Sequence, residues 1–210
     1  MPKIYLSPAY HKWNPCSIDG CDETTHNNLY LDELEKYLKA CNIQYKRGVR
    51  RIPKSSEDSD ALLSRAVRES NEYGADIHYV SHTNAFNGVI KGYRPMIYPG
   101  FEDAKRLADI LIEKRKEIYP YTITLNTRTD LYELRATKAT AYYEEHVFHD
   151  NKEDAQWFHS NMKLIAKQTA MGFCEYFCIP FVDIKEENKG KTVIDLLLKA
   201  IELLKEMFKI

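Results

Sequence analysis

The chain has 210 residues, 44% hydrophobic and 29% charged, enough for one α/β domain with a buried core. A formal net charge of −1 supplies no global field for nucleic acid or anionic lipid, and no apolar run reaches the roughly 20 residues of a membrane span. Five cysteines form no disulfide-scaffold pattern. Cys16 and Cys21 are close enough in sequence to pair, to help bind metal, or to remain thiols.

Residues 3–8 predict a first strand, stopped by Pro8. The N-terminus lacks the basic start and apolar stretch of a signal peptide, which points to synthesis in the cytoplasm. A polar loop runs from Ala9 to Cys21. Asp22 is the expected N-cap of a helix reaching about Cys41, with Leu31, Leu34 and Leu38 at helical spacing. Residues 43–47 read as the second strand and 50–59 as a loop. A helix over 59–73 is ended near Gly74. Strands follow over 75–82 and 92–98, with a helix over 101–118. Residues 131–134 and 140–147 are strand candidates, and a long helix spans 152–177. Cys174 and Cys178, one turn apart, are expected in its buried face.

This alternation predicts an α/β fold: a twisted, mostly parallel sheet of about six strands with helices on both faces. Residues 1–180 form the expected domain, 181–191 a linker and 192–210 an amphipathic C-terminal helix. Ile194, Leu197, Ile201, Leu204 and Phe208 give that helix a heptad-like seam. It would dock on the domain or assemble a homo-oligomer. Its three lysines and three acids make a poor membrane span.

In parallel sheets ligands gather at the carboxyl ends of the strands. His11, His82 and Glu145 all fall there. A catalytic zinc takes three protein ligands, typically histidine nitrogen and carboxylate oxygen, and keeps one position open. His82, followed by the small polar stretch Thr83-Asn84-Ala85, heads the candidates. His11, Glu23 and His26 are the others, Glu23 and His26 sharing one face of a helix start. Glu144 and Glu145 are adjacent acids in an otherwise apolar strand, costly unless used. Alternation sends them to opposite faces, so only one can serve a pocket shared with His82. No P-loop, G-x-G-x-x-G, G-x-S-x-G or H-E-x-x-H occurs.

Three blocks carry a resemblance: Lys3-Ile-Tyr-Leu-Ser-Pro-Ala-Tyr-His11, Gly74 to Ala85 around Ser81-His82-Thr83-Asn84-Ala85, and Thr140 to Asp154 around Glu144-Glu145. Together they resemble the zinc amidases of the N-acetylmuramoyl-L-alanine amidase type 3 family, close to the catalytic domains of clostridial phage endolysins. The resemblance covers about residues 3–180. It implies zinc held by His82 with His11 and Glu23, His26 being the substitute for Glu23. It also implies Glu145 as general base, and hydrolysis of the amide joining N-acetylmuramic acid to L-alanine in peptidoglycan. Release to the wall through a holin or lysis is then expected. The family's first histidine aligns with Tyr10, so His11 falls one residue late. That departure keeps a metal-free peptidoglycan-binding module as an alternative; a zinc peptidase on the same fold is another. Asn84, Arg94 and Arg135 are the expected substrate contacts.

Overall fold

The computed structural model describes residues 1–11, 14–18, 20, 22–48, 59–184 and 201. Cys21, most of the 50–59 loop and nearly all of the expected 192–210 helix lie outside them.

In chain order the elements are β1 (Lys3–Pro8), α1 (Glu23–Ala40), β2 (Gln44–Arg47), α2 (Ser59–Tyr73), β3 (Ile77–Asn84), β4 (Arg94–Ile97), α3 (Glu102–Lys116), β5 (Asn126–Thr127), α4 (Tyr132–Ala136), β6 (Thr140–Phe148) and α5 (Lys152–Tyr176). They build one six-stranded sheet in the order β2-β1-β3-β6-β4-β5. The four strands β2, β1, β3 and β6 are parallel. β4 runs antiparallel to β6, and β5 pairs parallel with β4.

Two-residue alternation divides the sheet's side chains between two layers. Ile4, Leu6, Ile77, Tyr79 and Tyr142 join α1, α3 and α5 in the larger core, with Phe158 and Phe173 at its centre. Val80, Met96, Leu134, Ala141 and Tyr143 form a smaller core on the opposite face, where α2 and α4 lie. His78, His82 and Glu145 belong to this second face by alternation from Val80 and Tyr143. Residues beyond α5 continue onto the larger core: Phe181 stacks on Tyr37, and Ile184 packs nearby.

Local chemistry explains the helix ends. The Asp22 side chain accepts from Thr25 N, capping α1, and Asn151 does the same for α5 through Asp154 N. Gly74, at φ +66°, terminates α2 in the left-handed region.

Three expectations need correction. The segment 131–134 is the start of the short helix α4, not a strand. Leu-Tyr-Glu-Leu-Arg-Ala contains no β-branched residue and four kinds of strong helix former. The sheet's sixth strand is instead Asn126–Thr127, too short to register as a hydrophobic pattern. Cys174 is buried as expected, but Cys178 lies past the end of α5, exposed, at φ +55°.

Candidate active site

The loop between β1 and α1 meets the carboxyl ends of β3 and β6. It is tied down by backbone bonds from Ala9 N to Ser81 O (2.9 Å), Ser17 N to His149 O (3.0 Å) and Glu23 N to Asn14 O (3.0 Å). His11 leaves β1 on this loop, and Glu23 opens α1. His82 lies within β3, which continues two residues further than expected, to Asn84.

Glu23 is the hub. His11 Nδ1 lies 3.0 Å from its Oε2, and His82 Nδ1 lies 2.9 Å from its Oε1. Asn14 Nδ2 donates to Oε2 (3.0 Å), and Thr83 N donates to Oε1 (3.2 Å). Burial would raise the Glu23 carboxyl, but the two histidines hold it well below the usual carboxylate range. Burial works against the charge on His82; the bond to Glu23 and the charges of Glu23, Glu145 and Glu133 nevertheless push it up to about 8. One ligand atom from each of His11, Glu23 and His82 lies within 4.8 Å of the others. Two imidazole nitrogens and a carboxylate oxygen at this spacing fit a three-ligand, open-position transition-metal centre. The expected substitute, His26, is elsewhere: it is fully buried, with Nδ1 3.0 Å from Cys16 Sγ and its ring beside Phe158 and His159.

Glu145 lies directly across from His82 in the β3–β6 register. The next paired residues are Asn84 and Phe148, so β6 carries one extra residue there. Such bulges bend a strand and re-aim its side chains, and they concentrate beside active sites. Burial pushes the Glu145 carboxyl up to about 7, against the pull of the charged His82. Its Oε2 has no hydrogen-bond partner among the described residues. A half-buried carboxyl with a spare oxygen and a proton affinity near neutrality is suited to acid–base work. The Tyr143 ring, two residues back on the same face, stacks on His82 at 4.8 Å.

The other acid of the pair goes to the opposite face, as alternation requires. Glu144 receives the Tyr93 hydroxyl (2.5 Å) and faces Arg115 Nη2 at 3.5 Å. Burial pushes its carboxyl well above the ordinary range. It belongs to the interior rather than to the metal-ligand cluster.

Glu145 opens into a cleft of about 600 Å³ lined by Asn84, Arg94, Met96, Leu125, Asn126, Thr127 and Arg128. Asn84 and Arg94 are thus brought beside it. Arg135 is not: it lines a separate cleft with Thr140 and Ala141 at the opposite end of β6, its guanidinium over the Tyr132 ring.

Sequence reasoning missed three groups. Glu133 is fully buried on this face, taking the Ser7 hydroxyl (2.5 Å) and His78 Nε2 (3.0 Å) on one oxygen. Its signal was hidden when α4 was read as a strand. Asn126, Thr127 and Arg128 arrive on β5, which left no pattern. Asp150 Oδ2 accepts Phe86 N (2.9 Å) and Gly88 N (2.8 Å), fixing the loop after Asn84. Asn151 Oδ1 accepts Asp154 N (3.1 Å) at the start of α5. Asp154 also receives Phe148 N, Gly92 N and the Tyr119 hydroxyl.

No helix among the described residues is long and apolar enough to cross a membrane. No curated protein matches the chain in sequence. Several solved structures share the fold. The N-acetylmuramoyl-L-alanine amidase of Clostridium difficile 630 superposes with a TM-score of 0.71 at 17% identity, over 84% of this chain and 97% of that one. The catalytic domain of an endolysin targeting Clostridium difficile gives 0.68 at 23% identity, over 83% and 98%. The N-acetylmuramyl-L-alanine amidase of Mycobacterium smegmatis gives 0.72 at 10% identity, over 84% and 97%. The family model for N-acetylmuramoyl-L-alanine amidase (Amidase_3) matches residues 4–175, which hold the whole His11–Glu23–His82 cluster and Glu145, and the chain belongs to that family.

Proposed function

We propose that the chain hydrolyses the amide between N-acetylmuramic acid and L-alanine in peptidoglycan with a zinc ion held by His11, Glu23 and His82, and with Glu145 as general base. The observation that carries this reading is the convergence of three zinc-type donor atoms within 4.8 Å, next to a half-buried carboxyl raised to about 7. When bound, zinc supplies a Lewis acid that acidifies water and polarises a carbonyl. Glu145 accepts the proton of the attacking water and returns it to the departing amine nitrogen, so that the carbon–nitrogen bond breaks as the carbon–oxygen bond forms. The spare Oε2 is the atom assigned to that transfer. Asn84 and Arg94, on the wall of the same cleft, are the groups assigned to orient the peptide. Cytoplasmic synthesis with release through a holin or lysis is the matching cellular route, and self-association through residues 192–210 the matching assembly.

The test combines metal analysis with wall digestion. The reading expects one zinc per chain and a fall in wall hydrolysis of about 10²- to 10⁴-fold for Glu145→Gln with zinc retained. Digestion should free the amine of L-alanine and leave the muramic carboxylate. A protein without zinc, a Glu145→Gln variant of normal activity, or products cut between amino acids each overturns it.

A further inference from the structure

The cleft beside Glu145 contains two arginines in different electrostatic situations. Arg128 is occupied: its Nε and Nη2 donate to the two oxygens of Asp130, at 2.7 and 2.5 Å. Arg94 makes no ion pair with any carboxylate of the described residues. Its Nη1 donates to the Thr124 hydroxyl, and its guanidinium lies 5.9 Å from the Phe148 ring centroid. It also packs over Gly92, where an added Cβ would come within 3.3 Å of Arg94 Cζ at a backbone φ of +151°. Ring, hydroxyl and missing side chain together hold this guanidinium in place. The antiparallel register puts Arg94 directly opposite Glu145, so the two side chains share one face of the sheet.

A fixed guanidinium with donors to spare, in a polar cleft a strand away from the reacting carbonyl, is a carboxylate receptor. We infer that Arg94 binds a free carboxylate of the stem peptide on the L-alanine side of the scissile amide. The enzyme then distinguishes peptides that keep this carboxylate from those in which it is amidated. The inference rests on the amidase reading and specifies its substrate class. Arg94 is a specificity-determining residue and takes no part in proton transfer.

Two N-acetylmuramoyl dipeptides decide the matter, differing only in whether the residue after L-alanine carries a carboxylate or a carboxamide. Charge-assisted bidentate bonds of this kind correspond to roughly 10- to 100-fold. The zinc-loaded enzyme should favour the carboxylate by that factor in kcat/KM, expressed in KM. Arg94→Ala should handle the two within about twofold of each other, losing far more on the carboxylate substrate than on the carboxamide. Arg94→Lys should keep a fraction of the preference, and Arg128→Ala most of it. Equal handling by the unaltered enzyme, or equal losses on both substrates in Arg94→Ala, overturns the inference. Calorimetric binding of both dipeptides to zinc-loaded Glu145→Gln protein separates this failure from failure of the amidase reading. Tighter binding of the carboxylate, abolished by Arg94→Ala, supports the receptor even where nothing is cut. Equal affinity, or no binding of either, refutes it.

Discussion

Removing the metal should leave a protein whose stability falls as pH rises, with His82 as the cause. In the metal-free fold the ring is raised from its ordinary 6.5 to about 8: burial opposes the charge, but Glu23 at 2.9 Å outweighs it. A group whose folded proton affinity is raised stabilises the fold fully below its unfolded value. That contribution is lost as pH climbs through the folded value. Each tenfold in proton affinity is worth about 1.4 kcal/mol, so the complete loss is about 2 kcal/mol, spread between about pH 6 and about pH 9. Other buried groups titrate nearby. His149 is lowered by burial and Glu145 is raised by it, so the quantity to measure is a difference. Urea unfolding of chelator-treated protein and of His82→Gln at both ends of that range should show the stability gap shifting against the unaltered protein by about 2 kcal/mol as pH rises. Both proteins keep His149, whose effect largely cancels, and a Glu145→Gln background in each removes the carboxyl that the His82 charge itself shifts. Parallel pH dependences would refute the Glu23–His82 ion pair. Zinc should reverse the trend, because ligation requires the neutral ring and releases its proton. Metal-dependent stabilisation should therefore grow with pH over the same interval.

Further outcomes follow from individual contacts. Glu23→Gln should lose stoichiometric zinc, whereas His26→Gln, altering a ring directed at Cys16, should retain it; metal analysis of the two purified variants distinguishes the ligand from its sequence neighbour. Arg135→Ala should digest walls within about twofold of the unaltered enzyme, since Arg135 faces another cleft, and a loss of tenfold or more would contradict that placement. Asp154→Ala removes the acceptor for Phe148 N, Gly92 N and the Tyr119 hydroxyl in a fully buried setting. At about 1–3 kcal/mol for each orphaned group, the cost should be about 3 kcal/mol or more. A melting temperature lowered by less than roughly 3 °C would be too small for that account.

What could be read from the chain depended on how locally each feature is encoded. The Asp22 cap, the Gly74 stop and the alternation separating Glu144 from Glu145 each involve a few neighbouring residues, and each is found in the structure. His82 and Glu145 could be placed at one edge because parallel strands bring their carboxyl ends together whatever the loops do. Features made by partners distant in sequence left no comparable trace. β5 owes its existence to β4 and has only two residues. Its arrival is what carries Asn126, Thr127 and Arg128 to the cleft. α4 was misread because a run of Leu, Tyr and Glu can alternate like a strand, while its helix propensity decides the conformation.

The one-residue lag of His11 behind the family's pattern shows where the balance lies. A strict strand would direct positions 10 and 11 to opposite faces, and His11 would miss the cluster. But β1 ends at Pro8, and His11 sits on loop backbone shaped by Asn14 N to His11 O (3.1 Å) and by the Asn14 carbonyl on Glu23 N. Asn14 meets Glu23 twice, through its carbonyl and through its side-chain amide. The same residue therefore sets the course of the loop and orients the carboxylate that His11 and His82 share. A ligand on a loop can change its place in the sequence if the loop is rebuilt, whereas His82 and Glu145, fixed in paired strands, cannot move by one residue without changing faces. The site thus joins a rigid half, spelled out by the sheet's alternation, to a half whose geometry depends on Asn14.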